Sequence, residues 1–144
     1  MRILGFDLGT RTLGISISDE TETISTVYTT LRFEENDYDS IIPEIKEIVS
    51  KEKVSKIVLG LPKNMNNSIG DRALTTLELK KKLEENMYVE VIMQDERLTT
   101  VEATNYMLKT DISRKKRKKK IDSLAANIIL QTYLDKRRRE NNER

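Results

Sequence analysis

The sequence predicts an α/β domain built on a five-stranded mixed sheet with helices on both faces. Three observations support this prediction: the chain opens with three short strand patterns, later strands alternate with helix patterns, and residues 56–60 show no alternation of polar and apolar side chains. A strand that is apolar on both faces is typical of a central parallel strand covered on both sides. The length of 144 residues is that of one domain.

The first three predicted strands form an antiparallel meander. Residues 3–8 are a mostly apolar run followed by Gly9 and Thr10, residues 13–18 alternate large apolar with small side chains, and residues 23–32 are rich in Thr, Ile, Val and Tyr. A period of two is the pattern of a strand with two different faces, and β-branched and aromatic residues favour strands. We therefore expect short turns to connect these three strands.

Helices and strands alternate in the rest of the chain. A helix is predicted to begin at a cap formed by Asp39 or Ser40, with Pro43 in its first turn. The later elements are a strand over 56–60, a helix over 68–86, a strand over 88–93, a helix from a capping box at Thr99 and Glu102 to about Lys109, and a helix over 121–138. The predicted order is βββαβαβαα. Residues 1–138 form the predicted domain, and residues 139–144 a frayed tail.

Cysteine and histidine are both absent from the chain. Their absence excludes zinc sites made of thiolate and imidazole, and nucleophile systems that depend on a Ser–His or Cys–His pair. Any catalysis must therefore use carboxylates, Lys, Arg, Tyr, hydroxyl groups or the backbone. The sequence has no run of about 18 apolar residues and no signal-peptide pattern, so we expect a cytoplasmic protein without a membrane partner.

Charge is distributed unevenly along the chain, although the formal net charge is only +2. Residues 1–113 contain 14 Lys and Arg against 20 Asp and Glu, whereas residues 114–144 contain 12 against 4. Much of the C-terminal excess comes from a run of seven basic residues: Arg114, Lys115, Lys116, Arg117, Lys118, Lys119 and Lys120. We expect this run to be a loop, because like charges repel in a compact helix, and to bind nucleic-acid phosphates. A solvated loop without a ligand is the alternative.

Three segments supply carboxylates that could bind a divalent cation. They are Asp7 at the end of the first strand, Asp95 and Glu96 after the last strand, and Asp122 in the first turn of the last predicted helix. A carboxylate in a mostly apolar strand is costly unless it is paired or bound to a cation, and Mg²⁺ or Mn²⁺ prefers oxygen ligands. Successive residues of an extended segment point to opposite faces, so only one of Asp95 and Glu96 is expected to enter a given cleft. Each acid also has a structural alternative, in which it accepts hydrogen bonds from turn amides or stabilises a helix N-terminus.

Polar residues beside these acids are candidates for contact with a nucleic acid. They are Thr10, Arg11, Lys63, Asn64, Ser68 and Arg97. The loop that follows the central strand is at the carboxyl end of that strand, where ligands of open α/β sheets bind. An ordinary polar connection explains the same residues. Aromatic residues are few, which argues against a surface for base stacking.

Four motifs in this order resemble the YqgF/RuvX family of pre-16S rRNA nucleases and Holliday junction resolvases. The motifs are Gly5-Phe6-Asp7-Leu8-Gly9-Thr10 with Gly14, Gly60-Leu61-Pro62 with Asn64, Met65 and Ser68, Gln94-Asp95-Glu96-Arg97-Leu98-Thr99-Thr100 with Glu102 and Ala103, and Ile121-Asp122-Ser123-Leu124-Ala125-Ala126 continuing to Ile129-Leu130-Gln131. The resemblance covers nearly the whole chain. It departs from the family pattern at Asn67, where the family usually has Gly; Asn tolerates a positive φ next best, so the turn is expected to survive.

The resemblance implies a ribonuclease H-like fold in which Asp7, Glu96 and Asp122 converge, with Asp95 as the alternative to Glu96. It also implies phosphodiester hydrolysis with Mg²⁺ or Mn²⁺ as cofactor, and structured RNA or branched DNA as partner. We expect maturation of the 5′ end of pre-16S rRNA, with resolution of four-way DNA junctions as the alternative. A non-catalytic RNA-binding assembly factor is a further alternative, and an actin-like or Hsp70-like nucleotide phosphotransferase is disfavoured by length. Both a monomer and a homodimer are compatible with the sequence.

Overall fold

The structure is a computed structural model that describes residues 1–61, 71–95 and 114–142. The described residues form five β-strands and three α-helices. The strands are β1 (Arg2–Leu8), β2 (Thr12–Ser18), β3 (Ser25–Arg32), β4 (Val54–Leu61) and β5 (Glu90–Asp95), and the helices are α1 (Ile42–Lys51), α2 (Asp71–Asn86) and α3 (Arg114–Asn142). The helix predicted between Thr99 and Lys109 lies outside the described residues, as does the predicted helix start at Ser68.

The five strands form one mixed sheet, which confirms the prediction. Their order is β3-β2-β1-β4-β5, with β1, β4 and β5 parallel to one another and β2 antiparallel to both of its neighbours. The three parallel strands therefore all end at the same side of the sheet, which we call the carboxyl edge. Ligands of open α/β sheets bind at this edge.

Helices cover both faces of the sheet, so the domain has three layers. One face packs against α1 and α2 through a core that includes Leu4, Phe6, Leu13, Ile15, Ile45, Ile57, Leu59, Leu79 and Leu83. The other face packs against α3, where Ile3 and Val58 meet Ile129, Leu130 and Leu134. We call these the α1–α2 face and the α3 face. The apolar residues of β4 contribute to both cores, as expected for a central parallel strand.

The predicted cap of the first helix is wrong. Residues Tyr38–Ser40 form a short 3-10 turn, and α1 begins at Ile42 after Ile41, without a side-chain cap. The polar side chains that could have capped it have other partners: the Ser40 hydroxyl donates to the Asp37 carbonyl at 2.9 Å, and Asp39 accepts from Lys82 at 2.9 Å.

The prediction that the basic run is a loop is also wrong, because the backbone is helical from Arg114 onward. Asp122 is therefore more than two turns inside α3 and not in its first turn. Repulsion between like charges on a helix costs only a few tenths of a kcal/mol per pair. Lys and Arg are otherwise good helix formers, and extending an existing helix requires no new nucleus. At its other end α3 reaches Asn142.

A smaller difference concerns the last strand. Tyr88 is fully exposed, and pairing with β4 begins only where Glu90 faces Lys56, so β5 starts and ends two residues later than predicted.

None of the described helices is long and apolar enough to cross a bilayer.

Candidate active site

Asp7 lies at the carboxyl edge on the α3 face of the sheet. On the same strand, Phe6 and Leu8 belong to the core shared with α1 and α2, whereas Ile3 packs against α3. Because side chains alternate between the faces of a strand, Asp7 shares the face of Ile3. The residue is half-buried. Its carboxylate therefore belongs to the side of the sheet that α3 covers.

Glycines occupy both strand positions next to Asp7. Asp7 pairs with Gly14 on β2, and Phe6 pairs with Leu59 on β4, so Gly60 is the next residue in register beside Asp7. Both glycines are buried. Neither contributes a side chain to the space above the carboxylate. The sequence motifs contained these glycines, but their position on either side of Asp7 depends on strand register, which the motifs do not specify.

Helix α3 lies close to the sheet behind Asp7. The Ser16 hydroxyl, which is fully buried, donates a hydrogen bond of 2.7 Å to the carbonyl of Ala126. A Cβ atom added to Gly5 would lie 2.6 Å from Cβ of Leu130. These contacts fix where α3 crosses β1 and β2.

The direction of α3 carries the backbone of residue 122 toward the carboxyl edge. At the opposite edge, the guanidinium of Arg137 donates to Glu22 at 2.7 Å, so the N-terminal half of the helix runs toward Asp7. Residue 122 precedes Ala126 by one helical turn, about 6 Å, on the same side of the helix. Asp7 lies two residues beyond Gly5, about 7 Å along the strand. From the place where α3 contacts β1 and β2, the helix backbone toward residue 122 and the strand backbone toward Asp7 therefore run in the same direction over similar distances.

The basic run continues α3 past this point. From residue 122 back to Arg114 the helix extends by about 12 Å in the same direction. The backbone of the run thus lies beyond the carboxyl edge and not over the body of the sheet. The prediction that the run adjoins the acidic residues is compatible with this placement, but the side chains of residues 114–123 lie outside the part of the chain that the structure describes.

The last strand brings Asp95 to the carboxyl edge, paired with Leu61. Val91 lies in the core of the α1–α2 face and Met93 packs against it, whereas Ile92 and Gln94, together with Met93, line a cavity with Tyr133 of α3. Asp95 follows Met93 by two residues, so its backbone position belongs to the α1–α2 face of the sheet. Glu96 and Arg97 lie outside the described residues.

The turn after Asp7 is held at both ends. The N–H of Gly9 donates to the Thr12 carbonyl at 2.7 Å, and the N–H of Phe33 donates to the Arg11 carbonyl at 3.0 Å. A Cβ atom on Gly9 would lie 3.0 Å from the Thr12 hydroxyl, so close approach favours glycine there. Thr10 and Arg11 are exposed at the tip, where a ligand can reach them.

A cavity of about 160 Å³ adjoins this turn on the side of the α1–α2 face. It is lined by Leu8, Gly9, Thr10, Glu35, Asn36, Tyr38 and Thr75. Sequence reasoning did not find it, because its wall combines the turn after β1 with residues from distant segments that belong to no motif. Of the other predicted contact residues, Lys63, Asn64 and Ser68 lie outside the described residues.

The predicted metal ligands are carboxylates, whose oxygen atoms fit a hard divalent cation. Among the side chains that the structure describes, no three acidic residues form a cluster that could hold a metal ion. Of the predicted set, only Asp7 has a described side chain, since Glu96 and the side chain of Asp122 fall outside. The convergence of the three acids stays a prediction, with which the backbone positions of Asp7 and residue 122 are compatible.

The chain is similar in sequence to proteins named as nucleases. It matches the family model of RuvX, described as Holliday junction resolvase, over residues 1–136. A Clostridium botulinum protein named "Putative pre-16S rRNA nuclease" is 50% identical over 135 residues, covering 94% of this chain and 97% of the relative. A protein of the same name from Caldanaerobacter subterraneus is 47% identical over 136 residues, covering 94% and 96%.

The fold is similar to that of two solved resolvases. Thermus thermophilus RuvC, in complex with a Holliday junction substrate, has a TM-score of 0.58 at 13% identity, covering 90% of this chain and 91% of that one. The fowlpox virus resolvase, in complex with Holliday junction DNA, has a TM-score of 0.54 at 14% identity, covering 94% and 98%. These similarities confirm the predicted ribonuclease H-like fold. Because the family model matches almost the whole chain and curated relatives are about half identical to it, the chain belongs to the RuvX family.

Proposed function

We propose that the protein is a metal-dependent nuclease that hydrolyses phosphodiester bonds in the maturation of the 5′ end of pre-16S rRNA. One observation carries the proposal: Asp7 lies between two glycines at the carboxyl edge, and the N-terminal half of α3 runs toward the same edge. The match to the RuvX family model and the names of the relatives support it.

Asp7, Glu96 and Asp122 would hold Mg²⁺ or Mn²⁺ at this edge. When bound, a divalent cation lowers the pKa of a water molecule and stabilises negative charge on the phosphate during hydrolysis. Gly14 and Gly60 leave room beside Asp7 for both the cation and a phosphate. Asp7 is half-buried on a strand, so a rigid element of the sheet would hold this ligand in position.

Strand alternation favours Glu96 over Asp95 as the second ligand. The backbone of Asp95 is in register with Val91 and Met93, which pack into the α1–α2 face. If the alternation continues by one residue, Glu96 shares the face of Asp7. We therefore expect Glu96→Gln to abolish cleavage and Asp95→Asn, which removes the same charge one residue earlier, to retain it.

Basic and polar side chains around the edge would bind the phosphates of the substrate. The helical run from Arg114 to Lys120 extends past the carboxyl edge and carries seven of the positive charges. Thr10 and Arg11 are exposed in the turn after Asp7. We assign the nearest phosphate to this turn, together with Lys63, Asn64, Ser68 and Arg97. Flanking phosphates would contact the basic helix.

Four-way DNA junctions are the second candidate substrate. The description of the RuvX family model and the fold shared with two resolvases bound to junctions favour this alternative. Both substrates require the same phosphodiester chemistry, so the acidic residues have the same role in each. A junction differs in needing two cuts related by symmetry, which a dimer supplies more simply than a monomer.

The test is a cleavage assay with Mg²⁺ or Mn²⁺ on labelled precursor rRNA and on four-way junctions, run side by side. Asp7→Asn is expected to lower the cleavage rate about 100-fold or more while retaining substrate binding. Glu20→Gln, which changes an exposed acid at the opposite edge of the sheet, is the matched control and should cleave normally. Cleavage of neither substrate by the wild type, with RNA binding intact, would favour the assembly factor.

A further inference from the structure

The wall of the cavity beside the turn after β1 is fixed by backbone hydrogen bonds. Residues 34–37 form a tight turn that a hydrogen bond of 2.9 Å closes, with Glu35 and Asn36 at its corners. Asn36 has a φ of 66° there, which Asn tolerates better than most residues. Just before this turn, the N–H of Phe33 donates to the Arg11 carbonyl at 3.0 Å and ties it to the turn after β1. The cavity between the two turns is therefore formed before any ligand binds.

Tyr38 brings a hydroxyl group to the cavity. The residue is only 3% exposed, and its ring packs edge to face against Phe33 with centroids 5.5 Å apart. Among the described residues, no hydrogen bond uses this hydroxyl, and no fully buried side-chain oxygen is without a partner. The hydroxyl therefore has contact with solvent, and Tyr38 is a wall residue of the cavity. Since a buried tyrosine hydroxyl usually has a hydrogen-bond partner, a ligand in the cavity can supply one.

The size and charge of the cavity select the kind of ligand. Its volume of about 160 Å³ is close to that of a cavity of about 150 Å³ that accepts one benzene ring, so it admits a single planar ring and not a whole nucleotide. Leu8 and the Tyr38 ring supply apolar surface, and Thr10, Glu35 and Asn36 supply polar groups.

Glu35 is the one charged residue among the described residues of this wall. It is exposed, and it takes part in none of the ion pairs between described residues. An ionised carboxylate accepts hydrogen bonds and repels other anions. A neutral ring with hydrogen-bond donors therefore fits this wall, whereas a phosphate does not.

Guanine is the base whose donors match a carboxylate. On its Watson–Crick edge, N1–H and the N2 amino group are adjacent donors, and an ionised carboxylate has two acceptor oxygens. Adenine and cytosine each place an acceptor nitrogen next to a single amino group, and uracil places N3–H between two carbonyls. In these three bases an acceptor would face an oxygen of Glu35 and be repelled. Asn36 and the Tyr38 hydroxyl are donors for O6 of guanine.

We propose that this cavity binds the guanine base of an unpaired nucleotide beside the scissile phosphate, with Glu35 accepting from N1–H and the N2 amino group. The proposal rests on the proposed nuclease function and adds a base preference to it. Gly9 and Thr10 line the cavity and follow Asp7 by two and three residues, so the base lies within about 10 Å of Asp7 along the backbone. The base must be unpaired, because its Watson–Crick edge binds the protein.

Affinity for short RNAs in EDTA tests the cavity without any cleavage. Fluorescence anisotropy compares a labelled hexamer of uridines with hexamers that carry one central guanosine, adenosine or inosine. The wild type should bind the guanosine hexamer about tenfold tighter than the uridine and adenosine hexamers. Inosine lacks only the N2 amino group and should lose most of this preference. 7-Deazaguanosine should keep it, because its Watson–Crick edge is intact.

Three variants connect the preference to the cavity. Glu35→Gln keeps the size of the side chain but removes its charge and one acceptor, and it should bind all the hexamers with equal affinity. Tyr38→Phe, which keeps the buried ring, should lower affinity for the guanosine hexamer alone. Glu34→Gln changes the neighbouring exposed acid, which does not line the cavity, and should keep the tenfold preference. Thermal unfolding of each variant verifies that it folds.

The outcomes separate the cavity from the nuclease. A wild type that binds no hexamer, or binds all of them equally, would overturn the guanine proposal. So would a guanosine preference that survives Glu35→Gln or that inosine retains in full. These measurements use no divalent cation and do not depend on hydrolysis. A guanosine preference in a protein that cleaves neither RNA nor junctions would retain the cavity and contradict the nuclease, and cleavage without the preference would do the reverse.

Discussion

The hydroxyl of Ser16 donates a hydrogen bond of 2.7 Å to the backbone carbonyl of Ala126, a residue 110 positions away in the sequence. Both residues are fully buried. The acceptor lies within α3, one turn after Asp122, and the donor lies two residues after Gly14, the strand partner of Asp7. A single contact between β2 and α3 thus sets the axial position of the helix that carries one proposed ligand relative to the strand that carries another.

Removing this hydrogen bond should affect both stability and cleavage. Ser16→Ala deletes the donor, and we expect it to lower the free energy of unfolding by about 1 kcal/mol, as measured by urea denaturation. It should also lower kcat more than it raises KM, since a misplaced metal ligand stabilises the transition state less. Ser18→Ala is the matched control, because Ser18 accepts from the N–H of Ile3 at 2.9 Å at the opposite edge. Equal loss of kcat in both variants would contradict the positioning role.

The close approach of α3 to β1 depends on glycine at position 5. A Cβ atom there would lie 2.4 Å from Oγ of Ser16 and 2.9 Å from the carbonyl oxygen of Ala126. We expect Gly5→Ala to push α3 off the sheet and to cost about 1–3 kcal/mol in urea unfolding, the usual cost of overpacking. Gly9→Ala meets only a side-chain hydroxyl at 3.0 Å as its nearest neighbour and should cost less. A Gly5→Ala variant as stable as the wild type would show that α3 adjusts freely.

Stability at low pH should depend on Asp19. Hydrogen bonds from the Thr21 hydroxyl and the N–H groups of Ile24 and Thr23 lower the pKa of Asp19 well below its usual range. Because this pKa is lower in the folded than in the unfolded state, the carboxylate stabilises the fold above the unfolded value of about 3.9, and this contribution is lost as pH falls further. The difference in unfolding free energy between wild type and Asp19→Ala should therefore be largest at neutral pH.

Urea unfolding of both proteins from neutral pH to below pH 3 (about one unit under the unfolded value) measures that difference. The gap between wild type and Asp19→Ala should narrow as the pH falls. A gap that stays constant over this range would mean that the hydrogen bonds to Asp19 favour neither protonation state. Thr21→Ala serves as a partial control, because it removes the largest cause of the lowered pKa and leaves both backbone donors in place.

Binding to nucleic acid should depend on the basic run. Replacing four of the seven residues from Arg114 to Lys120 with Gln keeps the helix, since Gln is also a good helix former. Affinity for RNA should fall at low salt, and the slope of log affinity against log salt should flatten by about 0.7–0.9 for each phosphate that the variant no longer neutralises. Gln at Lys80, Lys81 and Lys82 of α2 is the control. A slope unchanged by the variant would mean that the run does not bind phosphate.

The sequence predicts some residues of the candidate site and not others. Asp7 could be predicted because a charged residue at the end of an apolar run is unusual, and the succession of strands and helices along the chain followed from periodicity. The residues that lie next to Asp7 on the adjacent strands could not be predicted, because they depend on how β1 aligns with β2 and β4. The cap at Asp39 or Ser40 failed because tertiary partners, such as Lys82, competed for those side chains. The helical conformation of the basic run could not be predicted, because repulsion between its charges favours a loop. The opposing contribution comes from extending a helix that is already packed on the sheet.

The account rests on Asp7, Glu96 and Asp122 sharing one divalent cation, and titration of Mn²⁺ binding tests this most directly. Asp7→Asn, Glu96→Gln and Asp122→Asn should each weaken Mn²⁺ binding about tenfold or more, equivalent to about 1.4 kcal/mol, because each removes one anionic ligand. Asp95→Asn and Glu20→Gln should bind Mn²⁺ as the wild type does. Unchanged affinity in any of the first three variants would contradict the shared site.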